Sequence, residues 1–203
     1  MNRMKLMLLA MVLTVLSGCA ESSALIKANS TSIRTDIYEE LTNGGIVPQG
    51  FADLRITATL KTHKPGIYSA KDIHGTPDYM LLLNIDGQAV LLRGRLQKEN
   101  SESRGLVDPE AGDGIRYQFS KSLRLRAGTH RIVVALPADG IAIEKEINLI
   151  EGNANRLVLE PIYGTTPGKK CLEAYGATSF KKGIRTLRLM LNGRKISGNS
   201  NDI

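Results

Sequence analysis

The sequence predicts an all-β protein with the architecture of an antiparallel β-sandwich, and three observations support this fold class. Several short segments alternate apolar and polar residues, as strands do when one face lies in a core. Turn signals rich in Gly, Pro, Asn and Asp recur roughly every ten residues, which is typical of a sandwich. No long segment shows the competing 3.6-residue period of a helix.

The first residues have the pattern of a secretion signal. Two basic residues, Arg3 and Lys5, precede an apolar or neutral run from Leu6 to Leu16. This run is too short to span a bilayer, which needs about 20 apolar residues. The sequence Leu-Ser-Gly-Cys, which ends at Cys19, resembles the bacterial lipobox. The resemblance implies cleavage before Cys19, diacylation of its thiol and acylation of the new amino group.

The lipobox resemblance divides the chain into three parts. We expect residues 1–18 to form a lipoprotein signal peptide, residues 19–48 to hold the lipidated cysteine, a tether and a short helix, and residues 49–203 to form the sandwich. The lipid would attach the protein to a membrane of the bacterial cell envelope, because two acyl chains suffice for stable anchoring. Ala20, where an aspartate would signal inner-membrane retention, points to the outer membrane, facing the periplasm, if the organism is Gram-negative.

Composition and spacing give two expectations for the segment between the anchor and the sandwich. Residues 20–32 are small and mostly polar, as in a tether that lifts a domain off a bilayer. Ile33, Ile37 and Leu41 then recur at four-residue intervals, which predicts a short helix that ends near Gly45. Residues 33–38 are also compatible with a strand, so both alternatives stay open.

The strands are predicted from alternation, and the turns between them from turn residues. One alternating strand covers Leu54 to Lys61. The pairs Asp86-Gly87 and Asn192-Gly193 each follow an apolar run and predict hairpins. The polar stretch from Gln97 to Gly114 predicts a long loop. The remaining predicted strands lie at 79–85, 89–92, 115–125, 132–136, 141–149, 157–162, 187–191 and 194–197.

Two segments are similar to the PEGA family of small bacterial β-sandwich modules. Leu83 to Gly87 resembles that family's strand with a D-G turn, and Leu125 to Val134 resembles its leucine, Gly-x-His turn and β-branched strand. The resemblance covers residues 79–150, and the Pro-Glu-Gly-Ala motif itself is absent. It implies an immunoglobulin-like or PEGA-like sandwich in an envelope setting, and it implies no enzymatic chemistry.

A thiol-dependent hydrolase is one enzymatic alternative, because Cys171 and a histidine could act as nucleophile and base. With Cys19 acylated, Cys171 is the one remaining thiol, so we expect no intramolecular disulfide. Lys169 and Lys170 would favour a thiolate, but no helix pattern follows them, and all three histidines lie upstream. A structural cysteine is the favoured interpretation.

The three histidines, His63, His74 and His130, give only a weak indication of a metal site. They lack the paired spacings of zinc motifs, so a site would have to assemble from distant segments. We therefore predict no metal and interpret His130 as a turn residue that packs over a neighbouring strand. The loop from Asp108 to Gly114 holds three carboxylates without the EF-hand spacing, so a solvated loop is favoured over a calcium site.

Arginines recur on the predicted strands and form the best-supported candidate binding site. Residues two apart in a strand share a face, so Arg93 and Arg95 point the same way, as do Arg124 and Arg126. If their strands were neighbours, the four arginines would form a cationic stripe able to bind an anionic partner. The favoured alternative is a polar outer face whose arginines pair with glutamates across strands.

Composition limits the remaining functions. The chain of 203 residues has a formal net charge of +7 spread along its length, which suits contact with anionic lipids or envelope polymers. It has no tryptophan and no aromatic-rich basic stretch, so we do not expect it to bind nucleic acid. Phosphate-binding loops and nucleophile elbows are missing, so we predict neither catalytic residues nor a cofactor.

These observations favour a non-enzymatic, lipid-anchored binding or assembly module that recognises a protein or an anionic polymer of the cell envelope. Two alternatives stay open, namely the hydrolase built on Cys171 and a structural subunit that associates by strand-edge pairing. Thiol labelling at neutral pH separates the hydrolase from the other two. Salt-sensitive retention on an anionic polymer separates the binding module from the structural subunit.

Overall fold

The protein folds as two β-sheets packed face to face, which confirms the predicted all-β sandwich. A computed structural model describes residues 17–42, 45–65, 71–102, 108–164 and 178–197. In these ranges the elements are helix α1 (Ser17–Asn29) and strands β1 (Tyr38–Glu40), β2 (Phe51–Thr62), β3 (Met80–Ile85), β4 (Gln88–Arg93), β5 (Arg95–Ser101), β6 (Gly112–Arg126), β7 (Gly128–Leu136), β8 (Ile141–Leu149), β9 (Ala154–Tyr163), β10 (Ile184–Leu191) and β11 (Arg194–Lys195). Two short 3-10 turns lie at Pro137–Asp139 and Phe180–Lys182.

The strands form a larger, seven-stranded sheet and a smaller, four-stranded one. The larger sheet has the order β1-β6-β2-β9-β10-β11, and β5 also pairs with β6. The smaller sheet has the order β4-β3-β7-β8. All pairs are antiparallel except β2 with β9, which departs from the predicted arrangement. The chain leaves the larger sheet after β6, passes through β7 and β8, and returns beside β2 running in the same direction.

Residues that point inward from both sheets share one core. On β2, Leu54, Ile56 and Leu60 are buried, whereas Arg55 and Thr59 between them are exposed. The core residues on the other strands include Leu81, Leu83, Tyr117, Phe119, Leu123, Ile132, Val134, Leu157, Leu159 and Leu189. Full burial of an aliphatic side chain stabilises a fold by about 1.5–3 kcal/mol. This shared core therefore holds the two sheets together.

Both predicted glycine hairpins are confirmed. Asp86 and Gly87 join β3 to β4 with φ values of 47° and 93°. Asn192 and Gly193 join β10 to β11 with φ values of 51° and 80°. A two-residue turn of this type needs positive φ at both central positions, which is why the Asp-Gly and Asn-Gly pairs predict it.

The helix predicted between Ile33 and Leu41 is wrong. Residues 31–37 form bends and irregular backbone, and Tyr38–Glu40 pairs with β6, so the strand alternative comes closer. The backbone N–H groups of Ile37 and Tyr38 donate to Oε1 of Gln88 over 2.8 and 3.2 Å. An isolated helix this short is marginal in water, so the long-range partners decide the conformation.

The long loop predicted from Gln97 to Gly114 is wrong at both ends. Its first residues belong to β5, which pairs with β6 from Arg95 opposite Gln118 to Ser101 opposite Gly112. The sequence conceals this strand because most of its side chains are polar and do not alternate with apolar ones. Its position at an edge explains that composition, because an edge strand has only one neighbour to pack against.

Helix α1 lies on the smaller sheet, in the region predicted to be a tether. Its less exposed side consists of Ser22, Leu25, Ile26 and Asn29, at the i, i+3, i+4, i+7 spacing of an amphipathic helix. The helix packs against β8, and the Asn29 carbonyl accepts a hydrogen bond from Nδ2 of Asn84 at 3.0 Å. The tether is therefore helical and docked. Within the described residues, no helix is long and apolar enough to cross a membrane.

The middle of the outer face of the smaller sheet is covered. Four of its residues point away from the sandwich core and yet are at most 2% exposed, namely Leu82, Asn84, Val133 and Ala135. Beyond α1, the chain continues along the β4 edge, where Oγ of Ser32 accepts from the Ala89 N–H at 2.8 Å. The Ile33 N–H donates to the Gly87 carbonyl at 2.9 Å. This face is therefore occupied by the N-terminal segment.

Candidate functional site

Cys19 lies in the first turn of α1. Two residues separate it from Ser22, where the side of the helix that faces the smaller sheet begins. Acyl chains on Cys19 would therefore hold the covered face of the sandwich towards the bilayer. The outer face of the larger sheet would then point away from the membrane. The lipidation itself stays a prediction from the sequence.

The four predicted arginines are not brought into one stripe. Arg93 ends β4 in the smaller sheet, whereas Arg95 begins β5 in the larger one. Arg95 lies opposite Gln118, and Arg124 and Arg126 lie further along β6. Arg124 is six residues beyond Gln118, which at 3.3 Å per residue corresponds to about 20 Å. Arg93 and Arg95 are therefore well separated from Arg124 and Arg126.

Arg124 is engaged by a neighbouring strand. Its Nε and Nη2 atoms donate to the two carboxylate oxygens of Asp53 over 2.7 and 3.0 Å. Both side chains are mostly buried, at 16% and 18% exposed. Arg131 likewise pairs with Glu144, with Nη2 2.7 Å from Oε2. The favoured alternative, in which arginines pair with glutamates across strands, is therefore confirmed for Arg131 with Glu144, whereas Arg124 pairs with an aspartate instead.

Two arginines that sequence reasoning missed form a different cationic surface. Arg55 on β2 lies opposite Arg156 on β9 in the parallel register, and both are exposed on the outer face of the larger sheet. Arg126 shares this face, and its guanidinium lies 5.8 Å from the centroid of the Phe51 ring. We call Arg55, Arg126 and Arg156 the arginine patch. No carboxylate in the described ranges forms an ion pair with any of the three.

The acidic loop is docked on the protein, so the prediction of a solvated loop is wrong. Glu110 pairs with Arg116, with Oε2 2.8 Å from Nη1, and it also accepts from the Tyr163 hydroxyl at 2.8 Å. Asp113 pairs with Lys64 at 3.0 Å. The cationic partners Arg116 and Lys64 come from β6 and from the residues after β2, so the sequence spacing within the loop could not indicate them.

A buried lysine lies beneath the same loop. Lys61 is 0% exposed, and its Nζ donates to the carbonyls of Glu110 and Gly112 over 2.8 and 2.6 Å and to Oγ of Ser101 at 3.1 Å. Its ammonium also lies 4.9 Å from the centroid of the Phe180 ring. Burial lowers the pKa of Lys61 because the charged form loses its hydration. The lysine therefore connects the end of β2 to the loop and to β5.

Two of the three histidines come together at one end of the sandwich. The Asp72 carboxylate bridges them, with Oδ2 2.7 Å from Nε2 of His63 and Oδ1 2.6 Å from Nδ1 of His74. The other ring nitrogen of His74, Nε2, lies 3.1 Å from Oδ1 of Asp139. Oδ2 of Asp139 accepts a 2.6 Å hydrogen bond from the Tyr79 hydroxyl. We call His63, Asp72, His74 and Asp139 the histidine cluster.

Electrostatics in the histidine cluster favour the charged forms of Asp72 and His74. The hydrogen bond from His63 lowers the pKa of Asp72 to about 2, and the bonds from His74 act in the same direction. The hydrogen bond to Asp139 raises the pKa of His74, and Asp72 adds to this against the opposing effect of burial. Carboxylate oxygens only accept hydrogen bonds, so a proton on each ring nitrogen makes His74 an imidazolium.

The third histidine, His130, is apart from this cluster and lies in β7 rather than in a turn. Its Nδ1 is 2.7 Å from Oδ2 of Asp86, and its Nε2 is 2.8 Å from the carbonyl of Arg126. The side chain is nearly buried and links the β3–β4 turn to the end of β6. Its role is structural.

The described residues give information on only one of the two alternative functions, the structural subunit and not the hydrolase. Cys171 lies outside the described residues, so the hydrolase hypothesis stays a prediction. Strand-edge pairing has two long edges available, because within the described ranges β8 pairs with β7 alone and β5 pairs with β6 alone. Glu144, Lys145 and Glu146 occupy the middle of β8. Charged residues on an edge disfavour pairing with another chain.

Comparison with known proteins leaves the family open. No family model matches the chain, and no curated protein or solved structure is significantly similar to it. The PEGA-like and lipoprotein resemblances therefore stay predictions from the sequence. The functional proposal below depends on the geometry of the described residues together with the N-terminal motif.

Proposed function

We propose that this protein is a non-enzymatic, lipid-anchored module of the bacterial cell envelope that binds an anionic envelope polymer through the arginine patch. The observation that carries the proposal is that the two outer faces differ: one is covered next to Cys19, and the other exposes the arginine patch. Helix α1 and the chain after it occupy the outer face of the smaller sheet, next to Cys19. The arginine patch lies on the opposite outer face, on β2, β6 and β9.

The shape of the arginine patch suits a polymer with repeated negative charges. Arg55 and Arg156 lie on adjacent strands, about 4.8 Å apart along the hydrogen-bonding direction. Arg126 lies opposite Phe51, four residues along β2 from Arg55, which corresponds to about 13 Å. Phosphates or carboxylates repeated along a chain could meet all three side chains at once. Each contact would be weak and sensitive to salt, since exposed charges are screened.

A folded protein partner fits this surface less well. Most neighbours of the patch on the same face are small or polar, such as Thr57, Ser122 and Ala154, and the apolar neighbours include Phe51 and Val158. Stable protein interfaces usually have buried aromatic or arginine anchors that fill a pocket on the partner. A flat face with separated cations gives electrostatic attraction without such an anchor.

The proposed setting follows from the anchor. In a Gram-negative organism, Ala20 after the lipidated cysteine favours the outer membrane, with the domain in the periplasm. The docked helix leaves little free chain between the bilayer and the sandwich. The arginine patch would therefore be held within about one domain thickness of the membrane, where wall polymer and anionic glycans are found.

Sedimentation with isolated peptidoglycan tests the proposal. We expect the lipidated protein in detergent to bind at low salt and to be released at high salt. The Arg55→Glu/Arg156→Glu variant should bind at least about tenfold more weakly, because each reversal replaces an attraction by a repulsion. The Lys27→Glu/Arg93→Glu variant is the matched control, since it changes the net charge equally at exposed residues of α1 and the smaller sheet.

The peptidoglycan binding of the two variants, each compared with wild type, tests the proposed site. Weak binding by the patch variant, with the control within about twofold of wild type, supports the arginine patch. Equal losses in both variants would show that net charge alone drives retention. Undiminished binding by the patch variant would contradict the proposed site.

A further inference from the structure

We propose that the histidine cluster is a binding site for a divalent metal ion of the zinc class. The ligands would be Nε2 of His63, Nδ1 of His74 and one carboxylate oxygen of Asp72. This site lies at the end of β2 opposite to the arginine patch, and its existence does not depend on the proposed function.

The three donor atoms already converge. They lie within 4.8 Å of one another. Nε2 of His63 is 2.7 Å from Oδ2 of Asp72, and Nδ1 of His74 is 2.6 Å from Oδ1 of the same carboxylate. A tetrahedral zinc ion with bonds of about 2.0 Å places its ligand atoms about 3.3 Å apart. The ion could therefore enter after rotations of the side chains that move these atoms by about one ångström. Two imidazoles and a carboxylate are a donor set that zinc binds in proteins with an open fourth position.

The hydrogen bonds around His74 match those that usually support a histidine bound to a metal. A histidine that ligates a metal usually donates its other ring N–H to a carboxylate, which fixes the tautomer and the ring orientation. Here Nε2 of His74 faces Oδ1 of Asp139 at 3.1 Å. The Tyr79 hydroxyl in turn holds Oδ2 of Asp139 at 2.6 Å, and Tyr79 is fully buried. Nδ1 of His74 is thereby directed to Asp72 and His63.

Binding of the ion has a defined proton balance. The bonds from the metal to Nδ1 of His74 and to Nε2 of His63 replace the N–H bonds at these two atoms. The His74 proton leaves to solvent, and the His63 proton is taken up at Nδ1 of the same ring. The proton on Nε2 of His74 stays and continues to donate to Asp139. The His74 ring changes from imidazolium to neutral imidazole, and no oxidant or reductant is required. Zinc affinity should therefore fall as the pH is lowered.

The charge and accessibility of the cluster also suit a cation. The Asp72 and Asp139 side chains are 17% and 11% exposed, so two carboxylates share a largely buried environment. His63 is 43% exposed and leaves one side of the cluster open to solvent. The nearby Lys64 ammonium is directed to Asp113 at 3.0 Å. An ion could therefore enter from the His63 side and retain a water molecule as its fourth ligand.

Cobalt and zinc titrations of the full-length protein, purified in detergent without a histidine tag, test this site. We expect one Co²⁺ per chain, with the visible absorption of a four-coordinate nitrogen and oxygen site. Zinc binding to the metal-free protein should release one proton per ion, and zinc should displace bound cobalt without further proton release. His63→Gln should weaken zinc binding by more than about 100-fold, and Asp139→Asn by about 10–100-fold. His63 is half-exposed, so its replacement should leave the thermal unfolding of the metal-free protein close to wild type.

His130→Gln provides the control, because His130 also contacts a carboxylate but lies outside the cluster. It should bind cobalt and zinc like the wild type. The proposal is overturned if no cobalt absorption develops. It is also overturned if His63→Gln and Asp139→Asn bind zinc as tightly as the wild type does. In that case the cluster serves only as a set of ion pairs between the segment after β2 and the β7–β8 turn.

Discussion

Replacing Cys19 with alanine should abolish lipid attachment completely. The wild-type protein should incorporate labelled palmitate and begin at the acylated Cys19, whereas the variant should incorporate none. The physical reason is that the acyl chains supply the membrane affinity, at about 0.8 kcal/mol for each buried CH₂ group. Intact mass spectrometry of protein extracted from cells measures both the start of the chain and the number of acyl groups.

The other cysteine provides the matched control for this experiment. Cys171→Ala should be labelled and processed like the wild type, because acylation is predicted at Cys19 alone. A wild-type protein that keeps residues 1–18, or that begins elsewhere without acyl groups, would contradict the lipobox interpretation. The proposed orientation of the sandwich relative to the membrane would then have no support.

Replacing Lys61 with alanine should destabilise the protein by about 3 kcal/mol. The change leaves the carbonyls of Glu110 and Gly112 without their buried donor, and each unsatisfied group costs about 1–3 kcal/mol. It also removes the stem that packs beside Phe180. Lys61→Met retains most of that packing and should lose less. Chemical denaturation followed by circular dichroism measures the free energy of unfolding.

A lysine on the neighbouring strand β5 serves as the comparison for Lys61. Lys98 is exposed, so Lys98→Ala should change the free energy of unfolding by less than about 0.5 kcal/mol. A loss below about 1 kcal/mol for Lys61→Ala would show that other contacts suffice to hold the acidic loop. The loop should also become more sensitive to protease in the variant if Lys61 is what fastens it.

Local sequence patterns predicted the parts of the fold that depend on neighbouring residues. The Asp86-Gly87 and Asn192-Gly193 hairpins follow from backbone requirements that glycine and asparagine or aspartate meet. The alternating strand that includes Leu54 to Leu60 follows from the contact of one face with the core. In each case the information lies within a few residues of the structure it determines.

The elements that were missed depend on distant partners. Strand β5 is polar and is defined by its pairing with β6, and β1 forms where the sequence favoured a helix. Helix α1 packs only four residues towards the sheet, too few to stand out in a segment of small, polar residues. The parallel pairing of β2 with β9 depends on the path of the chain through the smaller sheet.

The candidate sites likewise depend on residues that are distant in sequence. Arg55 and Arg156 are 101 positions apart in sequence and become neighbours only through that parallel pairing. His63 and His74 meet through Asp72, and the carboxylate behind them comes from the turn at Asp139. The spacing Asp72-x-His74 was the one local signal of this cluster. The sequence therefore supplied the residue types, and the topology selected which of them lie together.

Photo-crosslinking in living cells tests most directly the central claim that one face of the sandwich is anchored and the other binds polymer. A crosslinking residue at Leu91, exposed on the outer face of the smaller sheet, should form adducts with lipid. The same residue at Thr57, beside Arg55 on the outer face of the larger sheet, should form adducts with an anionic wall polymer. The Thr57 adducts should disappear when Arg55→Glu/Arg156→Glu is added. Lipid adducts at Thr57, or polymer adducts that persist after the charge reversal, would contradict the account.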